Sequence, residues 1–289
     1  MNLGAIEASI RQATGRRLVV EDIVTPSVVE RLAATLGSKG AVPRAGDALP
    51  PGWQTVFCLL APSSSELGVD GLPSGFDLIP PVPMQRRMFG GARMEFRDPL
   101  ILGALVRCES EVRDVKLRTT ATAHLAIVTL RRSYYGPAGL AVVEDQDIIH
   151  LEPIGGAADK PTGTKEATPA PTWQRTLTPD PVMLFRFSAL CFNSHRIHYD
   201  MPYAAEVEKL PGLVVQGKLI ALLLLETVRD AVPGARVARF EYRSGRPLYA
   251  GTTTTFAARR DDDGTNVRLW AADASGANVQ TASLALGRS

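Results

Sequence analysis

Asn193-Ser194-His195-Arg196-Ile197-His198-Tyr199-Asp200 holds an amide, two imidazoles, a guanidinium and a carboxylate within eight positions of a 289-residue chain that has four histidines in all. An imidazole titrates near a pKa of about 6.5 and can take and return a proton at neutral pH, so His198 is the candidate general base. Asn193 cannot exchange a proton at that pH, but its carbonyl or amide can hold a water molecule. His195 and His198 have the spacing of metal ligands on one helix face. His124 and His150 bring no companion acids in a matching pattern, so no metal is expected. The ordinary alternative for either ring alone is a hydrogen-bonded histidine of the core.

Such groups need rigid elements to position them. Val215 to Val232 reads as a helix, opened by Gly217, carrying four consecutive leucines and stopped by Pro233-Gly234. It is apolar on nearly every side, so other elements must wrap it. Thr252–Ala258, Val267–Ala271 and Val279–Leu286 read as strands joined by turns at Asp263-Gly264 and Ser275-Gly276, which predicts a curved antiparallel sheet as the wrapper. In the first half, Thr25 or Asp22 caps a helix with Pro26 in its first turn that runs to Leu36. Leu105–Val115 and Ala121–Ser133 read as strands. Trp53–Leu60 fits a short central helix or a strand equally well.

The halves echo each other. Glu95-Phe96-Arg97-Asp98-Pro99-Leu100-Ile101-Leu102-Gly103 resembles Glu241-Tyr242-Arg243-Ser244-Gly245-Arg246-Pro247-Leu248-Tyr249-Ala250-Gly251, with two residues inserted before the second proline. Glycine, proline and threonine accumulate between about Gly155 and Pro181, which reads as a linker. The expected organisation is a first unit at 1–154, a linker at 155–181 and a second unit at 182–289 that carries the histidines.

Composition narrows the function. With 45% hydrophobic residues the chain can fold around a core, and 32 basic against 30 acidic side chains leave no surplus field for nucleic acid or a membrane surface. Three scattered cysteines form no disulfide framework. The longest apolar run, Leu219–Leu225, is seven residues, far short of the roughly 20 that span a bilayer. The first residues lack a secretory core, and a cytoplasmic location is expected.

The order Asn193…His198, then Tyr203-Ala204, then Pro211-Gly212-Leu213-Val214-Val215 leading into Gln216-Gly217-Lys218, resembles the MaoC-like enoyl-thioester hydratases of hot-dog fold. There a motif Asp-x-Asn-Pro-x-His precedes a His-Gly pair that opens the central helix. Leu184–Leu190, the histidine run and, in the first half, Pro80-Pro81-Val82-Pro83, Arg86-Arg87-Met88-Phe89-Gly90-Gly91-Ala92-Arg93 and Glu144–Ile148 resemble the double-hot-dog branch more closely. That branch includes mesaconyl-, itaconyl- and 3-methylfumaryl-CoA hydratases and the mitochondrial type 2 hydroxyacyl-thioester dehydratases. The resemblance runs from about Asp22 to Gly251 and implies an α+β double hot-dog, two antiparallel sheets each wrapping a central helix.

It further implies a hydro-lyase that adds water reversibly to an α,β-unsaturated acyl-CoA, needing no cofactor. His198 is the acid–base group, Asn193 the water holder and the Gly217 amide the donor to the enolate oxygen. Arg86, Arg87, Arg93, Arg196, His195 and Tyr203 are candidate substrate contacts, with Arg86 or Arg87 reaching across from the first half. Asn193 stands where single-unit hydratases have aspartate, and Gln216 and Lys218 replace the usual neighbours of the glycine. The rivals are a 3-hydroxyacyl-thioester dehydratase of fatty-acid synthesis and a non-catalytic acyl-thioester-binding module. Monomer and homodimer are both open.

Overall fold

The computed structural model describes residues 3–73, 78–79, 82–84, 86–153 and 169–287. Pro80, Pro81, residue 154 and the 155–168 part of the expected linker lie outside them. The elements in order are α1 (Leu3–Arg11), β1 (Arg17–Ile23), α2 (Pro26–Leu36), β2 (Arg86–Phe96), β3 (Leu105–Thr119), β4 (Ala123–Gly136) and β5 (Gly139–Pro153). The second half adds β6 (Trp173–Leu177), α3 (Pro181–Leu190), α4 (Gly217–Ala231), β7 (Val237–Ser244), β8 (Thr254–Arg260), β9 (Asn266–Asp273) and β10 (Asn278–Leu286). Both turns expected in the second half are present, with Gly264 and Gly276 at φ +74° and +77°. The linker ends earlier than its composition suggests: Trp173–Leu177 is an edge strand paired with Thr254–Ala258. Its alternating exposure, half-buried then exposed, is that of a strand with one covered face.

Among the described residues the strands form one antiparallel sheet in the order β1-β3-β4-β5-β2-β7-β10-β9-β8-β6. The halves therefore join edge to edge, through β2 and β7. Across that joint Arg93 faces Glu241 and Glu95 faces Arg239. In the sequence echo Glu95 corresponds to Glu241 and Arg93 to Arg239, so a local two-fold through Met94 and Phe240 exchanges the two pairs. Gly91 (φ +145°) lets the strands meet, because a Cβ there would lie 2.2 Å from the Tyr242 carbonyl oxygen.

The same correspondence holds beyond the sheet. Leu49 N donates to Leu100 O (2.7 Å) as Val215 N donates to Leu248 O (2.8 Å), and Gly103 N bonds Val24 O as Gly251 N bonds Pro179 O. The residues after Leu49 are Pro50 and Pro51, where the second half has Gln216 and Gly217. Two prolines remove two amides, and the chain then makes only a 3₁₀ turn, Trp53–Val56, where the second half builds the 15-residue α4. The undecided Trp53–Leu60 segment is therefore neither strand nor α-helix: its first four residues form a 3₁₀ turn at the place of α4. One apolar cluster spans both halves, with Trp53 and Leu32 packed in the same core as Leu219–Leu225 of α4. Among the described residues no helix is long and apolar enough to cross a membrane.

Candidate active site

The histidine run follows α3, which Asp180 caps by accepting from Met183 N at 2.7 Å. After Leu190 the chain turns at Phe192 (φ +49°) and tightens into a 3₁₀ turn, Arg196–His198. The strand-like segment before α4 fixes this turn from both sides. Val214 N donates to Ile197 O (2.9 Å), and His198 Nδ1 lies 2.7 Å from Val214 O. A carbonyl oxygen only accepts, so Nδ1 carries the proton and Nε2 keeps its lone pair. Among the described residues Nε2 makes no hydrogen bond. Three residues after Val214, Gly217 begins α4. Its amide is one of the four first-turn donors that no carbonyl of the helix can reach.

Burial holds this imidazole neutral. The side chain is 7% exposed, and desolvation lowers its pKa to about 4, only partly opposed by the Val214 carbonyl. His195 stands edge-on to it, ring centroids 5.4 Å apart, and is pushed down to about 3 by burial, by His198 and by Arg87. Asn193 Oδ1 accepts from His195 N at 3.1 Å. Its carbonyl thus helps fix the turn, and its amide nitrogen remains as a donor for a water.

The first half reaches this run through the loop 67–73. Arg196 N bonds Asp70 O (2.9 Å), Arg196 Nη1 bonds Val69 O (3.0 Å), and the Ser194 hydroxyl donates to Gly71 O. Gly71 has φ +80°, and a Cβ there would sit 2.1 Å from Ser194 O, so only glycine allows this contact. Arg87 comes to the same place from β2. Its Nη1 donates to Pro73 O (3.2 Å) and its Nη2 lies 4.0 Å from Asp70. His150, opposite Arg87 on β5, joins it there, its pKa lowered to about 4 by burial and by Arg87.

The remaining candidates separate. Arg196 is bound to Asp200 at 2.8 Å and lies 4.2 Å over the Tyr203 ring, whose hydroxyl donates to Glu208. Both brace the histidine turn. Arg93 makes a two-pronged contact with Asp147 at 2.6 and 2.8 Å. Ala92 and Met94 beside it are buried against the α4 core, so alternation puts Arg93 on the opposite face, away from the histidines. Arg86 falls on the face opposite Arg87 for the same reason. Gln216, the departure from the family pattern, donates to Leu184 O (3.0 Å) and Ser188 Oγ (2.9 Å) and fastens α4 to α3. Asp70, Gly71 and His150 were not expected here, because a loop and a strand far away in sequence supply them.

The family model for type 2 hydroxyacyl-thioester dehydratases matches residues 52–250. The chain belongs to that family. It is 38% identical over 273 residues to a Chloroflexus aurantiacus protein named mesaconyl-C4-CoA hydratase, covering 94% of this chain and 96% of the relative. It is 28% identical over 265 residues to the mitochondrial type 2 hydroxyacyl-thioester dehydratase of Schizosaccharomyces pombe, covering 81% and 87% of the two chains. A Mycobacterium tuberculosis structure described as a double hotdog superposes with a TM-score of 0.58 at 14% identity, over 98% of each chain. This member of the dehydratase family therefore has the double hot-dog fold and is a hydro-lyase of hydratase/dehydratase type.

The buried imidazoles give this hydro-lyase a distinct pH response. The acid limb of kcat/KM is expected near pH 4, where His198 protonates, and not near the ordinary value of about 6.5. A limb near 6.5 in a pH–rate profile would mean that the ring is solvated. His150, His195 and His198 all have folded-state values below their unfolded ones. The unfolded chain therefore takes up protons first as pH falls through about 6.5, and stability declines from there down toward about 4.

Proposed function

We propose that the protein adds water reversibly to the double bond of an α,β-unsaturated acyl-CoA of the branched dicarboxylyl class, such as a mesaconyl, itaconyl or 3-methylfumaryl thioester. The orientation of His198 carries this reading. With Nδ1–H tied to Val214 O, the Nε2 lone pair is aimed for proton transfer before the substrate arrives. Asn193 Nδ2 donates to the oxygen of the attacking water. His198 Nε2 takes one proton from that water as its oxygen bonds to the β-carbon, and the displaced electron pair moves to the thioester oxygen. The Gly217 amide, at the positive end of α4, receives the enolate oxygen. His198 Nε2–H then returns its proton to the α-carbon, and the thioester carbonyl re-forms. No second acid–base side chain is needed.

The first half cannot repeat this chemistry. Pro51 occupies the place of Gly217 and has no amide hydrogen, and 37–47, between α2 and Ala48, contains no histidine. It contributes Arg87, whose charge adds to burial in holding His195 neutral, and the 67–73 loop, which bonds Ser194 and Arg196 of the histidine run. The halves pair through β2 and β7 within one chain, so the proposed site is built from a single copy of a cytoplasmic protein. The same groups dehydrate a 3-hydroxyacyl thioester when run in reverse, the reaction named for the fission-yeast relative. Loss of the enoyl-thioester absorption band is the test. We expect turnover of mesaconyl-C4-CoA well above that of 3-methylcrotonyl-CoA, which has a methyl in place of the carboxylate. The opposite order would favour the acyl-chain dehydratase.

A further inference from the structure

Lys218, immediately after the proposed oxyanion glycine, is a charge in an otherwise apolar helix start. Its Nζ lies 5.2 Å from the Phe89 ring centroid, inside the joint between the halves. Arg132 enters the same interior from β4, donating to Cys58 O at 2.9 Å with its guanidinium 5.0 Å from the Tyr134 ring centroid. Glu144, paired opposite Arg132 on β5, is 0% exposed. Its Oε1 accepts from Gln146 Nε2 at 2.7 Å, while its Oε2 and the Tyr134 hydroxyl have no partner. The alternation that buries Tyr134 and Val142 turns Arg132 and Glu144 toward α4 as well.

Two cations face one carboxylate, and among the described residues neither Lys218 nor Arg132 has a carboxylate within salt-bridge distance. Burial pushes the Lys218 ammonium below its ordinary pKa; Glu144 opposes that and Arg132 adds to it. Cys191 nearby is raised to about 12 by burial and stays an uncharged thiol. The Cys108 thiol, held low by its hydrogen bond with Cys58 and by Arg132, can share the charge of Arg132. A buried ammonium without a counter-ion is costly, and an anionic ligand removes the cost. Arg87, Arg93 and Arg196, by contrast, already face Asp70, Asp147 and Asp200.

Resting on the dicarboxylyl-CoA reading above, we propose that Lys218, backed by Arg132, binds the carboxylate that the acyl group bears on the carbon receiving water. Consecutive residues then hold the two oxygen-bearing ends of a short acyl group: the Gly217 main chain takes the thioester oxygen and the Lys218 side chain takes the carboxylate. In the free enzyme Glu144 and the Cys108 sulfur offset Arg132, and the substrate carboxylate supplies the direct partner that Lys218 lacks. A plain enoyl chain at this place would bury an alkyl group against an unpaired ammonium, so the pair also selects against uncharged substrates.

The test compares kcat/KM for mesaconyl-C4-CoA and 3-methylcrotonyl-CoA in wild type, Lys218→Met and Lys218→Arg. Losing one charge-assisted contact is expected to lower the ratio of the two values by about 100-fold in Lys218→Met. In Lys218→Arg, which keeps the charge, the ratio stays within about tenfold of wild type. A ratio unchanged in folded Lys218→Met overturns the proposal. Should Lys218→Met fail to fold, inhibition of the wild type decides. Succinyl-CoA binding at least tenfold more tightly than butyryl-CoA supports a carboxylate site, and equal binding overturns it. If the wild type hydrates 3-methylcrotonyl-CoA but not mesaconyl-C4-CoA, this inference fails and the hydratase mechanism stands. If it hydrates no enoyl-CoA, the proposed function itself fails.

Discussion

His198→Ala is expected to lower kcat/KM for hydration by about 10²–10⁴-fold, the usual contribution of a positioned acid–base group. No other base stands at its position. The nearest imidazole, His195, is 5.4 Å away ring to ring, and Asn193 is not a base. The substitution also strips Val214 O of its donor, which costs about 1–3 kcal/mol of stability, so the variant should melt at a lower temperature yet remain folded. The check is a steady-state assay on protein whose circular dichroism shows an intact fold. Retention of more than about a tenth of the rate would show that another base operates.

A second large effect should follow from changing one amide. Gly217→Pro removes the N–H that the mechanism aims at the enolate oxygen, and the local backbone can accept it. Proline is at home in the first turn of a helix, and Gln216 already has φ −61° and ψ 130°, the extended conformation a following proline requires. Deleting one such donor is expected to reduce kcat by about 10²–10³-fold. Gly217→Ala is the control, because it keeps the amide while meeting the same neighbour, with Ser244 Oγ 3.1 Å from the new Cβ. Equal losses in the two variants would trace the effect to that contact and not to the donor.

Much of this frame was legible before any coordinates. The leucine-rich helix, its glycine start, the meander after it and the histidine run could be read because each is a local pattern: an apolar run between breakers, alternation between turn dipeptides, reactive side chains close in sequence. The echo at Glu95 and Glu241 was legible as a repeat, and the strands it marks turned out to pair with each other. What stayed hidden depends on which face a residue takes. Arg87 and Arg93 stand six positions apart in one strand, but the bulge between Phe89 and Gly91 shifts the alternation, and they leave the sheet on opposite sides. Arg132, Glu144 and Lys218 come from three elements, and no spacing links them. A signal did exist in the strands, where Arg132 shares parity with Tyr134, and Glu144 with Val142, both core residues. The collapse of the first central helix is also clear in retrospect, since Pro50-Pro51 leaves little of its first turn to bond.

One measurement bears most directly on the central claim: hydration of mesaconyl-C4-CoA in isotopically labelled water by the wild type and by His198→Ala, with the product analysed by mass. The account predicts a single labelled oxygen on the β-carbon, formed by the wild type and nearly absent from the variant over the same time. Unlabelled product, or labelled product formed equally fast without the imidazole, would contradict it.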